Sequence, residues 1–231
     1  MHKNPESAAC YQTFAIMVGL AELAVLLSVF LLPDTLGQHR MVSTNLFALA
    51  YYKVTVTLLI ALQLLVVALF LMRFRLVARV WTGAALLFVS CSLVGWVLTV
   101  SCNPDTDAAN HSIGAGIFVA ATSAYFAITL NLTYEFDPVR SRRYDLMAYG
   151  VMLCAGLFAL VYVILYFTSP DWSWLFENVA FVLMAAGYLL FFWFHSFDPA
   201  ETVAPGHRPV QCQPLLTGQG ANLVPDVDAF Y

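Results

Sequence analysis

Charge is what this sequence has least of: 10% of its 231 residues are Asp, Glu, Lys or Arg, against 61% that are hydrophobic. A water-soluble domain of this size needs far more polar surface, so that class is excluded. The few charges gather on no single basic face, which leaves nucleic acid without a binding surface. Proline is missing from the long apolar stretches and confined to the connections and the tail. Neither HExxH nor HxxxH occurs, and no nucleophile elbow is present, so no known catalytic signature is available. The five cysteines form no disulfide framework. Cys91 and Cys154 lie within apolar runs and read as small hydrophobes at helix interfaces. Cys10, beside the first run, is a candidate for palmitoylation.

What fills the chain is hydrocarbon in lengths of about twenty residues, enough to cross about 30 Å of bilayer core at 1.5 Å per residue. Runs such as VTVTLLIALQLLVVALFLM are apolar on every face, whereas a β-barrel strand would alternate. The expected fold is therefore all-α, a polytopic membrane protein with six transmembrane helices at about 12–32, 48–72, 78–101, 112–133, 146–168 and 174–195. The first run is longer than a signal-peptide core and lacks a small-residue cleavage site, so it is expected to be retained. Residues 1–196 make one bundle. Residues 197–231 carry Pro199, Pro205, Pro209, Pro214 and Pro225 among Gly, Gln and Asp, and are expected to form a disordered tail.

Arginine sets the expected orientation. Arg73, Arg75 and Arg79 lie in the second connection and Arg140, Arg142 and Arg143 in the fourth, whereas 102–111 and 169–173 hold no Lys or Arg. The arginine-rich loops and both termini are then cytosolic, and those loops are candidates for anionic headgroups. The sequon at Asn131 falls on the cytosolic side, out of reach of the transferase. Asn110-His111-Ser112 is on the accessible side but abuts the membrane, which makes Asn110 a poorly accessible glycosylation candidate.

Charges at bilayer depth are costly, about 2.5–3.5 kcal/mol on insertion scales, so they direct the search for function. Glu22 lies mid-helix with no cation at its depth and is expected to be protonated or hydrogen-bonded to Ser, Thr or Gln63. Lys53 and Glu177 lie just inside the outer ends of helices 2 and 6, and His111 opens helix 4 at the same level. With Asp105, Asp107 and Asn178 they are expected either to line an outer headgroup pocket or to supply a Lys53–Glu177 pair that orients the helices. Gly116 and Ala120, four apart, are expected to let another helix approach closely. Trp172 and Trp174 at the outer ends, with Trp81 and Trp193 at the inner, read as interfacial belts.

The stretch SLVGWVLTVSCNPDTDAANHSIGAGIFVAATSAY, with Gly95, His111, Gly114, Ala115, Phe118 and Tyr125, resembles the damage-regulated autophagy modulator family and its relatives in phosphoinositide kinase recruitment and GPI-anchor remodelling. The stretch ENVAFVLMAAGYLLFFWFHSFDP, with Glu177, Gly187, Tyr188, Phe197 and Asp198, looks like that family's last helix. The resemblance covers helices 3, 4 and 6. It implies a six-helix, non-enzymatic regulator or scaffold of membrane traffic, autophagy or lipid signalling in the plasma or endolysosomal membrane, meeting membrane lipids and a cytosolic protein partner. No cofactor or metal is expected. The rival reading is a small transporter or channel with a pathway through Glu22, Gln63 and Lys53. A lipid-modifying enzyme is a further rival, and it would need His111 and an acid beside a nucleophile or metal.

Overall fold

A computed structural model describes residues 5–31, 47, 50–136, 142–168 and 170–195. Six long helices run through them: α1 (Pro5–Leu31), α2 (Ala50–Leu71), α3 (Arg79–Ser101), α4 (Ala108–Phe136), α5 (Arg142–Thr168) and α6 (Pro170–Phe194). Each contains a span long and apolar enough to cross a membrane, and the chain is an all-α, multi-pass integral membrane protein. Most helices overrun the expected apolar windows, and α1 starts seven residues early. Hydropathy marks where lipid is, whereas the helix continues while good formers such as Glu6, Ala8 and Ala9 last. Pro5 and Pro170 stand at first helical positions, where a missing N–H costs nothing. The tail beyond 196 lies outside the described residues.

Helix is the only economical state here, because lipid offers a backbone N–H or C=O no partner. Hydroxyls within the spans obey the same constraint. Thr55, Ser90, Thr129 and Thr168 donate to the carbonyl one turn earlier, at 2.7–3.0 Å. The outer surface confirms the solvent: Leu146, Leu153, Leu157, Leu160 and Ile164 are all more than half exposed along α5. Trp81, Trp172 and Trp193 are exposed near helix ends, as interfacial indoles are. Cys154 is also exposed, on the lipid-facing side of α5 and not at a helix interface.

Two tight antiparallel pairs, α3 with α4 and α5 with α6, carry most of the packing, and α1 lies against α6 and α2. Contact between α4 and α5 is sparse. The α3/α4 pair closes through glycine. A Cβ on Gly95 would fall 2.5 Å from the Phe118 nitrogen, and one on Gly114 would fall 2.6 Å from the Thr99 nitrogen. Only glycine lets these backbones approach so far. Ser92 and Thr122 then hydrogen-bond across the seam at 2.8 Å, both fully buried. At the other end Phe70, Phe191 and Phe192 stack edge to face with centroids 5.0–5.7 Å apart.

The expected role of Gly116 and Ala120 is overturned. Nothing lies within 4 Å of a Cβ at Gly116, and both residues are exposed. Helical rotation turns the Gly95/Gly114 face inward and leaves the Gly116/Ala120 face toward the gap beside α5.

Candidate cleft beside His111 and Glu177

Six residues connect α3 to α4, and their hydrogen bonds set His111. Asn103 accepts from the backbone of Asp105 at 2.9 Å through its side chain and from Asp107 at 2.8 Å through its carbonyl. Asp107 caps α4, its carbonyl receiving the His111 N–H at 3.1 Å. Its carboxylate accepts from the Asn110 amide at 3.0 Å, which holds the Asp107 carboxyl below its usual range. Burial, with Asp107 close by, pushes the Cys102 thiol up.

His111 then turns its ring back onto the end of α3. Nδ1 lies 2.9 Å from the Thr99 carbonyl and 3.0 Å from that of Cys102, two acceptors left over where the helix ladder stops. Both partners are carbonyls, so Nδ1 carries the proton and donates. In the neutral ring Nε2 is then an acceptor. The side chain is 1% exposed.

His111 lines a cleft of about 320 Å³ between α4, α5 and α6, together with Thr99, Tyr162 and Glu177. Below this polar group the walls are Ala115, Gly116, Ala120, Gly156, Ala159 and Ala180, with Phe118 and Met184 deeper. Phe118 stacks on Phe181 of α6 with centroids 6.2 Å apart. The rim residues Gly116, Ala120, Ser123, Leu160 and Val163 are exposed on the bundle's outer surface, so the cleft opens sideways toward lipid. Its size falls at the lower end of small-molecule sites, and its makeup of apolar walls with a few converging polar groups is the usual one.

Of the six residues expected at an outer pocket, His111 and Glu177 share the cleft. Glu177 lies within electrostatic reach of Tyr52 and Tyr162. Asn178 is its buried neighbour on α6 and is not a lining residue. Lys53 stands apart, its ammonium 4.5 Å above the Phe47 ring, which meets His111 edge-on at 6.3 Å. The cation that would have oriented Glu177 is thus spent on an aromatic face. Asp105 and Asp107 stay in the connection. Asn110 is exposed but bonded to Asp107 within a helical first turn, and its sequon's central residue is buried.

Glu22 and Gln63 meet in the bundle interior and are not among the residues that line this cleft. With its amide nitrogen turned toward the acid, Gln63 donates to both Glu22 oxygens at 2.7 and 3.2 Å. Tyr125 and Tyr188 lie within electrostatic reach of the same carboxyl. Lys53 precedes Gln63 by about 15 Å along α2, so these three residues do not converge on one cavity.

The basic loops divide. Arg75 and Arg79 are exposed, but Arg73 is buried, its guanidinium 5.3 Å from the Phe70 ring centre and 5.9 Å from that of Phe74. Arg142 and Arg143 open α5, and Arg140 lies outside the described residues. His195, which the sequence leaves alone on the side opposite His39 and His111 and so without a partner histidine for a haem, is buried beside Arg73's cage and stacked on Phe191 at 4.2 Å. Among the described residues no three His, Cys, Asp or Glu side chains gather as a metal site requires. Ser123, the hydroxyl farther down the cleft, lies about 18 Å along α4 from His111, too far for a nucleophile and base.

No family model, curated protein or solved structure matches this chain.

Proposed function

We propose that this protein is a non-enzymatic membrane regulator or scaffold that holds a membrane lipid in the cleft between α4, α5 and α6 and displays its cytosolic loops and tail to a protein partner. The observation that carries this reading is the joint placement of His111 and Glu177 at the polar end of a cleft whose remaining walls are apolar and whose rim opens to lipid. A headgroup fits the polar end and a hydrocarbon body fits the rest. The separation of His111 from Ser123, with the Thr99 hydroxyl donating to the Gly95 carbonyl at 2.8 Å, favours holding over chemistry. The resemblance to the autophagy-modulator family supports a role in membrane traffic, autophagy or lipid signalling at the plasma or endolysosomal membrane. The arginine distribution supports placing both termini in the cytosol.

Native mass spectrometry of the protein released from gentle detergent tests the reading. The wild type is expected to retain lipid-sized adducts, and Gly116→Leu, which fills open space at the cleft mouth, is expected to lose them. Equal adducts on both proteins, or none on either, would refute it.

A further inference from the structure

The fold fixes the hydrogen-bonding role of one polar atom in the cleft. His111 commits the proton on Nδ1 to the carbonyls of Thr99 and Cys102, at 2.9 and 3.0 Å, which leaves Nε2 of the neutral ring as an acceptor. Turning the ring over would forfeit both carbonyls, so the acceptor cannot be exchanged for a donor at low cost. Nε2 receives no hydrogen bond from the described residues, although the side chain is 1% exposed and lines the cleft. The Thr99 hydroxyl, its near neighbour in the lining, is already used on the Gly95 carbonyl at 2.8 Å. An acceptor at that depth is costly when it lacks a donor, so the donor has to come from whatever fills the cleft.

The rest of the lining says what carries that donor. Phe118, Leu160, Val163, Phe181 and Met184 place bulky apolar side chains between the alanine and glycine positions of the same walls. About 320 Å³ takes a headgroup and the adjoining part of a hydrocarbon chain, and the remainder of a membrane lipid stays outside the open rim. Walls that mix large and small side chains impose no single chain shape. Selectivity in this cleft therefore resides at the polar end, in the group that meets Nε2.

Resting on the lipid-cleft reading above, we propose that the cleft selects lipids whose headgroup donates a hydrogen bond, and that His111 Nε2 receives it. Two headgroup chemistries meet this requirement: an ammonium that keeps an N–H, as in an ethanolamine phospholipid, and a free hydroxyl, as in a diacylglycerol. The trimethylated choline headgroup has neither and is discriminated against.

The test is native mass spectrometry of the full-length protein, stripped of lipid and then given synthetic lipids with identical acyl chains. Phosphatidylethanolamine and its N,N-dimethyl derivative are expected to bind alike, because each keeps an N–H, and the third methyl group of phosphatidylcholine is expected to cost roughly tenfold. A diacylglycerol is expected to exceed its 3-acetyl ester by a similar factor. The step appears in the pair whose donor the cleft uses, which separates ammonium from hydroxyl. His111→Phe is expected to erase the step. Because His111 also ties α4 to α3, the lipid pairs on the unaltered protein stand independently of how that variant folds. A gradual decline with each added methyl group would mark headgroup size and overturn the proposal. Phosphatidylmethanol, an anion with no N–H or O–H, overturns it too if it binds as well as the ethanolamine lipid, since Nε2 would then be donating. If every lipid binds equally and Gly116→Leu removes them all, donor selection fails while a lipid cleft stands. If no lipid binds, or Gly116→Leu retains them, both fail.

Discussion

Gly95 of α3 faces the backbone of Phe118 on α4 so closely that a Cβ there would stand 2.5 Å from the Phe118 nitrogen and 2.9 Å from the Gly114 oxygen. Both obstacles are backbone, so the helices themselves must part to admit a methyl group. The same approach carries His111 to the end of α3, which ties this contact to the geometry of the cleft.

Gly95→Ala is accordingly expected to lower stability by about 1–3 kcal/mol through overpacking. Gly116→Ala, built into open space, is expected to be near neutral. Thermal unfolding in detergent checks the pair, at roughly 2–4 °C per kcal/mol for a chain of this size. Equal melting of the two variants would show that the α3/α4 seam is not so tight.

Glu22 and Gln63, buried together at the bundle centre, should behave as a unit. Gln63→Leu leaves the acid without its amide donor and is expected to cost about 1–3 kcal/mol. Replacing both residues by leucine removes the polar group along with its partner and should recover much of that loss. A double-mutant cycle measures the coupling, and strictly additive losses would mean that the two side chains do not interact.

Arg73 should matter to folding in a way that its neighbours do not. It is buried against Phe70 and Phe74, whereas Arg75 and Arg79 are exposed. Arg73→Ala is expected to cost about 1–2 kcal/mol, while Arg75→Ala and Arg79→Ala each stay within about 0.5 kcal/mol. Parallel melting curves of the three single variants decide whether these arginines act as one loop or as a buried residue and two surface ones.

Asp107 gives the connection between α3 and α4 a pH dependence of known sign. The Asn110 amide holds its carboxyl below the usual range in the folded protein. The resulting stabilisation is present above the ordinary aspartate value of about 4 and is lost as pH falls through the lowered folded value. Asp107→Asn should therefore melt below the wild type at neutral pH, with the gap narrowing as acid is added. A gap that stays constant across the titration would remove Asp107 as its source.

Hydropathy alone determined the number of spans, because lipid forces each long apolar run to satisfy its own backbone and only a helix does so. The same economy of charge singled out Glu22, Lys53 and Glu177 as the polar residues to examine, and hydrogen-bonding arithmetic paired Glu22 with Gln63 as one alternative. What the chain did not contain was the rotation of each helix about its axis. A span apolar on every face looks the same from all sides, so Gly116/Ala120 and Gly95/Gly114 were equally good seams until tertiary packing chose between them. Lys53 illustrates the same limit. Its depth was legible, but whether its ammonium met Glu177 or the Phe47 ring depended on which way α2 turned, and that is decided by the contacts between helices.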